Sequence, residues 1–190
     1  MLNVSDNKNN NPYIKLEDYK SFDYEIPNIF LDFIIEDKRV IVKTELKLIK
    51  KNININSLIL DGIDIFVEKI YLDESLLEEN NYSIQKNRLL IKPILKETFT
   101  LKIVGTIKPK ENFSLLGMYE SNGIITTQCE AEGFRRISYH SDRPDILSKY
   151  KVRIEANKED YPVLLSNGNL VKANDLEHKR HEVIWEDPYP

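Results

Sequence analysis

A short polar stretch in the second half of the chain concentrates the side chains that could do chemistry. The stretch TTQCEAEGFRR spans residues 126–136 and holds Cys129 between Gln128 and Glu130. A second acid, Glu132, follows two residues later. Acids on a short loop are most often simply solvated. The residue types alone therefore leave two interpretations open, a functional site and a polar loop that contains a thiol.

Cys129 could act as a nucleophile only with a base, normally a histidine, within hydrogen-bond reach. The chain has three histidines, which are His140, His178 and His181. The residues around Cys129 match neither the caspase-type nor the papain-type cysteine signature. We therefore predict that Cys129 packs as a small apolar residue beneath a loop. A thiol hydrolase is the least favoured hypothesis.

A second candidate is EHKRHE, residues 177–182, where His178 and His181 lie three positions apart. Zinc peptidases use H-E-x-x-H on a helix, which directs both imidazoles to one metal ion and the glutamate to its bound water. Here the acids lie outside the histidine pair, and the segment lies between two predicted strands. We interpret it as a solvated turn and predict no metal site in this chain.

The elements that must position these residues are strands. Apolar residues alternate with other residues in 29–35 and, after the charged turn Asp37-Lys38, again in 40–48, which predicts a β-hairpin. Further short strand-like runs include SLILDG, IDIFVEKIYL, RLLIKPI, TFTLKIVGTIKP, YKVRIEA and HEVIWE. No apolar stripe of helical period extends over a dozen residues. We predict an all-β fold, either a β-sandwich or a saddle-like set of mostly antiparallel sheets, with at most short helical turns.

Two local features are predicted in addition. LLSNGNLV should form a hairpin whose two-residue turn is Asn167-Gly168, because this dipeptide favours positive φ. SDRPDIL should begin a helical turn, with Ser141 or Asp142 as the cap and Pro144 in the first turn.

Composition narrows the class of protein. The 190 residues are 41% hydrophobic, which suits one globular domain with its own core. Lys and Arg number 27, Asp and Glu number 31, and no basic block occurs, so we expect no nucleic-acid partner. The chain has no signal-peptide pattern, no run of about 18 apolar residues and one cysteine, so we expect a cytoplasmic protein with no membrane partner. Residues 1–12 are predicted to be a mobile polar tail before a domain at 13–190.

Five short motifs follow one another in the second half of the chain. They are GMYES (117–121), TQCEAEGFRRISY (127–139), DRPDIL (142–147), YPVLLSNGN (161–169) and WEDPYP (185–190). In order and spacing they resemble the N-terminal β domain of bacterial aminopeptidase N, which belongs to the zinc-dependent HExxH aminopeptidases. The resemblance is clear over 117–190, looser over 13–50, and limited to strand-rich character between them. His140-Ser141 departs from it, because the family usually has aromatic or apolar residues just before DRPD.

The resemblance implies a large cytoplasmic enzyme that removes N-terminal residues from peptides. In the family, the zinc ligands, the catalytic glutamate and a G-x-M-E-N substrate loop lie in a second domain, and this chain contains neither HExxH nor GxMEN. The chain thus resembles the leading domain, truncated before the catalytic zinc domain of the same polypeptide. We expect it to contain no catalytic residue, to bind no Zn²⁺ itself and to be inactive alone.

The resemblance also assigns roles to the polar stretch. In the family, the glutamate of the Q-C-E motif reaches the active site and binds the free α-amino group of the peptide, and the glutamine lines the pocket for the first side chain. By position these are Glu130 and Gln128. A carboxylate suits this role because it binds a terminal ammonium by a charge-assisted hydrogen bond.

Two further expectations accompany this reading. The competing hypothesis is a stand-alone β-sandwich module that binds a protein or a glycan. The family continues after DPYP into another apolar strand, so a chain that ends at Pro190 is expected to expose an unpaired strand edge and to self-associate.

Overall fold

Strands make up most of the fold. The computed structural model describes residues 15–190, and in this range it contains thirteen β-strands and four single-turn 3₁₀-helices. The strands are β1 (Tyr24–Ile35), β2 (Val40–Lys50), β3 (Leu58–Asp61), β4 (Phe66–Leu72), β5 (Ser75–Leu76), β6 (Tyr82–Gln85), β7 (Arg88–Ile91), β8 (Thr98–Ile107), β9 (Gly117–Ser121), β10 (Ile124–Gln128), β11 (Lys149–Asn157), β12 (Asn169–Asp175) and β13 (Arg180–Asp187). The 3₁₀-helices are Leu16–Asp18, Glu79–Asn81, Pro109–Glu111 and Phe134–Arg136. The predicted all-β class is confirmed.

The sequence predicts a polar tail at residues 1–12 and no membrane-spanning segment. The predicted tail at residues 1–12 lies outside the described residues. Within 15–190, no helix has the length and apolar character needed to cross a bilayer.

Eight strands form one large sheet in the order β12-β13-β11-β1-β2-β8-β4-β5. Neighbouring strands in it are antiparallel, with the single exception of β1 and β11, which run parallel. β1 and β2 form the predicted hairpin, with Ile29 opposite Leu46 and Phe33 opposite Val42. Every second residue of β2 from 40 to 48 is buried. The period-two pattern therefore fixes which face of the hairpin is inside, because a shift of one residue would turn the apolar set outward.

The large sheet shares one hydrophobic core with a three-stranded sheet of order β3-β7-β6. Leu46 and Leu101 of the large sheet are 0% exposed, as are Leu58, Leu60 and Leu89 of the small one. Burying a leucine side chain stabilises a fold by about 1.5–3 kcal/mol. Each sheet therefore shields the apolar face of the other sheet from water.

The predicted hairpin at LLSNGNLV is wrong. Residues 161–166 form no strand, and β12 begins only at Asn169 and pairs with β13. Of the turn dipeptide, Gly168 has the expected positive φ of +85°, whereas Asn167 does not have a positive φ. A Cβ there would lie 2.2 Å from the carbonyl oxygen of Glu186, so glycine is required by the approach to β13. Turn chemistry thus predicted the conformation of Gly168 but neither that of Asn167 nor the strand that would become the partner.

The predicted helical turn at SDRPDIL is also wrong, since residues 141–148 contain a turn at Pro144-Asp145 and no helix. The proposed cap is occupied elsewhere: the Asp142 carboxylate accepts hydrogen bonds from the backbone N–H and the Nε–H of Arg135. Asp145 instead pairs with Arg143 at 2.7 Å. A tertiary contact thus replaced the local cap on which the prediction depended.

Arg153 is the centre of an ionic network on the face of the large sheet opposite the core. Its guanidinium lies 2.7 Å from Asp32 on β1, 2.6 Å from Glu155 on its own strand and 2.6 Å from Glu182 on β13. The three carboxylate side chains are at most 17% exposed. Hydrogen bonds from Asn174 and from Arg153 hold the pKa of Glu182 below its ordinary value. One cation therefore ties three adjacent strands together.

Replacing Arg153 by Met is expected to lower the free energy of unfolding by about 3 kcal/mol. Asp32 and Glu182 then lose their closest cation and keep only Lys43 at 3.2 Å and Lys172 at 3.8 Å. Denaturant unfolding at pH 7 measures this. Lys151→Met on the same strand is the matched control, since its ion pair with Glu186 is nearly half exposed and should contribute less than about 1 kcal/mol. Equal losses in the two variants would contradict a special role for Arg153.

Candidate functional site

A two-stranded hairpin carries the polar stretch that the sequence singled out. β9 and β10 pair antiparallel, with Gly117 opposite Gln128. Asn122 and Gly123 connect the strands and have φ values of 50° and 80°, as a tight two-residue hairpin turn requires. The pairing ends at Gln128, so the following residues leave the hairpin as the 128–133 loop.

The 128–133 loop presents polar side chains to solvent and the thiol to the interior. Gln128 and Glu130 are exposed, whereas Cys129 between them is half-buried and packs against the hydrophobic core. The Gln128 side-chain oxygen accepts a hydrogen bond from the Glu130 backbone N–H at 3.2 Å. This bond uses the side-chain oxygen of Gln128 and not its amide N–H groups. The peptide bond between Glu130 and Ala131 is cis.

Gly133 closes the loop. Its N–H donates to the carbonyl oxygen of Cys129 at 2.9 Å. A Cβ on Gly133 would lie 2.5 Å from the carbonyl oxygen of Gln128 and 2.7 Å from the Cα of Cys129. Only glycine therefore allows the two ends of the loop to approach this closely.

Arg135, just beyond the loop, is held from two sides. Its backbone N–H and its Nε–H both donate to one carboxylate oxygen of Asp142, at 3.1 and 2.9 Å, and its Nη2 donates to the Asp142 carbonyl oxygen at 3.1 Å. The carbonyl oxygen of Arg135 accepts from Ile63 N–H at 2.7 Å. A further Nη2 contact reaches Glu132 at 3.4 Å. Sequence reasoning missed this pair, whose only signal was an Arg and an Asp seven residues apart within two adjoining motifs.

His140 lies in an apolar environment beneath the loop. It is 3% exposed, and its ring meets the edge of Phe134 with centroids 5.1 Å apart. Its backbone bridges to Asp61 on β3, yet neither ring nitrogen has a hydrogen-bond partner within the described residues. Burial lowers the pKa of His140 to about 4, against the opposing charge of Asp142. The imidazole is thus buried at a position where the family resemblance predicts an aromatic or apolar residue.

The thiol of Cys129 is poorly suited to nucleophilic chemistry. Burial, with a smaller contribution from the negative charge of Asp142, raises its pKa to about 11. With this pKa the thiol is protonated at neutral pH, whereas the reactive form of a cysteine is the thiolate. The predicted packing of Cys129 beneath a loop is observed, and the thiol-hydrolase hypothesis loses its physical basis.

The two histidines of EHKRHE lie in different environments. His178 is in the turn between β12 and β13, and its side chain is 90% exposed. His181 lies on β13, is 8% exposed, and donates from Nε2 to the Tyr161 carbonyl oxygen at 2.7 Å. The solvated-turn interpretation therefore holds for His178 and is wrong for His181. Over residues 15–190, no group of three or more His, Cys, Asp or Glu side chains is arranged to hold a metal ion.

The β domain and the acidic 128–133 loop that follows the β9–β10 hairpin point to one protein family. Residues 27–190 match the Peptidase M1 N-terminal domain family, and the chain belongs to that family. The family resemblance predicted from the motifs is thereby confirmed.

Two relatives of similar sequence are both named aminopeptidase N. The chain is 40% identical over 174 residues to aminopeptidase N of Haemophilus influenzae, covering 92% of this chain and 20% of that protein. It is 38% identical over 173 residues to aminopeptidase N of Escherichia coli, again covering 20% of the relative and 91% of this chain. The chain therefore spans about one fifth of the length of these relatives.

Two solved structures show the same fold. The Legionella pneumophila aminopeptidase A structure, in complex with aspartic acid, superposes with a TM-score of 0.86 at 40% identity, over 93% of this chain and 21% of that one. A mutant M1 zinc metallopeptidase from Deinococcus radiodurans, bound to a Tyr-Ser-Ala substrate, gives a TM-score of 0.72 at 11% identity. That match covers 86% of this chain and 39% of the other, and at this identity it shows a shared fold and nothing more.

Acidification should destabilise the chain through His140. Its pKa is about 4 when folded and about 6.5 when unfolded, so the unfolded state takes up the proton first. The His140 contribution to stability is complete above pH 6.5 and declines as the pH falls toward 4. Between pH 7 and pH 5 the expected loss is about 2 kcal/mol.

The variant His140→Phe isolates this effect, because carboxylates that titrate in the same range are common to both proteins. Urea unfolding at pH 7 and pH 5 should show a smaller drop in the variant by about 2 kcal/mol. Identical drops in the two proteins would show that His140 is not buried in its neutral form.

Proposed function

We propose that this chain is the substrate-amine-binding N-terminal domain of a zinc-dependent aminopeptidase that releases N-terminal amino acids from peptides. Glu130 binds the α-ammonium group of the peptide, and Gln128 lines the pocket for the first side chain. The enzyme acts in the cytoplasm, as the family resemblance implies. The observation that carries the proposal is an exposed Glu130 carboxylate on a constrained loop in a chain of the M1 N-terminal family.

The charges around the loop support Glu130 rather than its neighbours. Glu132 contacts Arg135 at 3.4 Å, and Asp142 contacts the same guanidinium at 2.9 Å. Within residues 15–190, Glu130 is the acid of this group that forms no ion pair, and its backbone N–H is held by Gln128. Its carboxylate is therefore available for a cation that comes from outside the domain.

A terminal ammonium fits this carboxylate. The α-amino group of a peptide has an ordinary pKa near 8 and is mostly protonated at neutral pH. Binding it in a closed cleft gives a charge-assisted hydrogen bond and fixes how far the peptide enters. The same contact selects free N-termini over internal peptide bonds, because only one bond then lies at a set distance from the anchor.

The zinc ion belongs to another part of such an enzyme. The described residues of this chain do not form a metal site, so we assign no zinc ligand to this chain. The partner of this chain would be the catalytic domain of the same polypeptide, which would hold the zinc ion. The resemblance of the motifs at 117–190 to the zinc-dependent aminopeptidases supports this cofactor for the whole enzyme.

In the complete aminopeptidase, Glu130→Ala should reduce kcat/KM for free-amine peptides by a factor that corresponds to about 2–5 kcal/mol, the cost of removing one member of a desolvated charge pair. Steady-state kinetics on dipeptides measures the loss. Glu177→Ala is the matched control, since this acid is 95% exposed in the β12–β13 turn. If Glu130→Ala cleaves these peptides as fast as the wild type, the anchoring role is wrong.

A prediction for the 190-residue chain alone follows from the missing motifs. The purified chain should hydrolyse no aminoacyl anilide and should hold no stoichiometric zinc after dialysis. Metal analysis and a chromogenic assay test both. One tightly held zinc ion per chain would contradict the division of roles proposed above.

A further inference from the structure

We infer that Asp142 is the residue that positions Glu130, and that it acts through Arg135. The inference rests on the anchoring role proposed for Glu130 and goes beyond it by naming what holds the anchor in place. It is drawn from the contacts between the 128–133 loop and the two segments behind it.

The 128–133 loop has little support of its own. Two hydrogen bonds lie inside it, from Glu130 N–H to the Gln128 side chain at 3.2 Å and from Gly133 N–H to the Cys129 carbonyl oxygen at 2.9 Å. Gln128, Glu130 and Glu132 are exposed. A loop of this kind takes its position from the structure at its ends.

The downstream end of the loop is the 3₁₀-helix Phe134–Arg136, and Asp142 holds it. Three hydrogen bonds join Arg135 to Asp142, and both side chains are mostly buried, at 17% and 13% exposure. The Phe134 ring packs edge-on against His140 and against Tyr150. The helix therefore cannot shift without breaking the contacts of Asp142.

Charge provides a second reason why Asp142 is needed. The Arg135 guanidinium already reaches Glu132 at 3.4 Å while it is bound to Asp142. Without the Asp142 carboxylate, this cation would keep its contact with Glu132 of the acidic loop and otherwise only the charge of Asp61, to which it makes no hydrogen bond. It would then draw the loop carboxylates toward itself, and it would compete with the ammonium group of the substrate. Asp142 thus keeps the loop in place and keeps its acids available.

The test compares two zinc-directed inhibitors of the complete aminopeptidase. An amino-acid hydroxamate carries an α-amine, and the corresponding desamino acyl hydroxamate does not, so the ratio of their inhibition constants measures the anchor separately from metal binding. Glu130→Ala should bring this ratio close to one. Asp142→Ala should reduce it at least about tenfold, since a displacement near 1 Å is enough for such a loss, and should leave the desamino inhibitor within about threefold of wild type. Asp142→Asn, which keeps the shape and one acceptor oxygen, should fall between Asp142→Ala and the wild type.

Controls separate positioning from general destabilisation. Val183→Ala removes core volume on β13 and should lower the melting temperature without changing the inhibitor ratio. If Asp142→Ala does not fold, Asp142→Asn replaces it in the comparison. An unchanged ratio in the Asp142 variants, with a collapsed ratio in Glu130→Ala, would overturn the positioning role and leave the anchor standing. An unchanged ratio in Glu130→Ala would overturn the anchor itself, and an equal loss in Val183→Ala would show that Asp142 has no specific role.

Discussion

The parallel pairing of β1 with β11 is the constraint on which the rest of the domain depends. It joins the antiparallel strands β2, β8, β4 and β5 on one side to β13 and β12 on the other. Parallel neighbours cannot be connected by a tight turn, so the chain between them has to cross over. The last part of this crossover, residues 108–148, holds the β9–β10 hairpin and the 128–133 loop. The candidate site thus lies in a connection between β8 and β11, and both of these strands belong to the large sheet.

This placement explains how an exposed loop can hold a defined geometry. Loops that carry function are usually set by a rigid scaffold rather than by their own contacts. Here the scaffold reaches the loop through Gly133, which lets the backbone close, and through Arg135, which is bonded to Asp142 and to Ile63. The sheet face that carries Arg153 is equally self-contained, because its cations and carboxylates satisfy one another.

Sequence reasoning succeeded where a short-range pattern decides the outcome. The β1–β2 hairpin follows from alternation, and the packing of Cys129 beneath a loop follows from the lack of a matching nucleophile signature around it. It failed at Asn167-Gly168 and at Asp142, because β13 became the partner of the strand that follows Gly168 and Arg135 took the carboxylate that a local cap would have used. The Arg135–Asp142 contact and the burial of His140 depend on how three segments pack, and no spacing rule encodes them. The role of Glu130 and Gln128 stays a prediction from family resemblance.

The same parallel pairing has a consequence for how the chain folds. Asn28 on β1 lies opposite Lys149 on β11, a separation of 149 − 28 = 121 residues, whereas the β1–β2 hairpin closes over a handful. Closing a long loop costs entropy that local pairs avoid, and topologies rich in distant contacts fold slowly. The hairpin and its neighbour β8 can therefore assemble early, and β11 can join only after most of the chain is in place. The 128–133 loop lies inside this late-closing connection, so the candidate site is completed in the same step that completes the sheet.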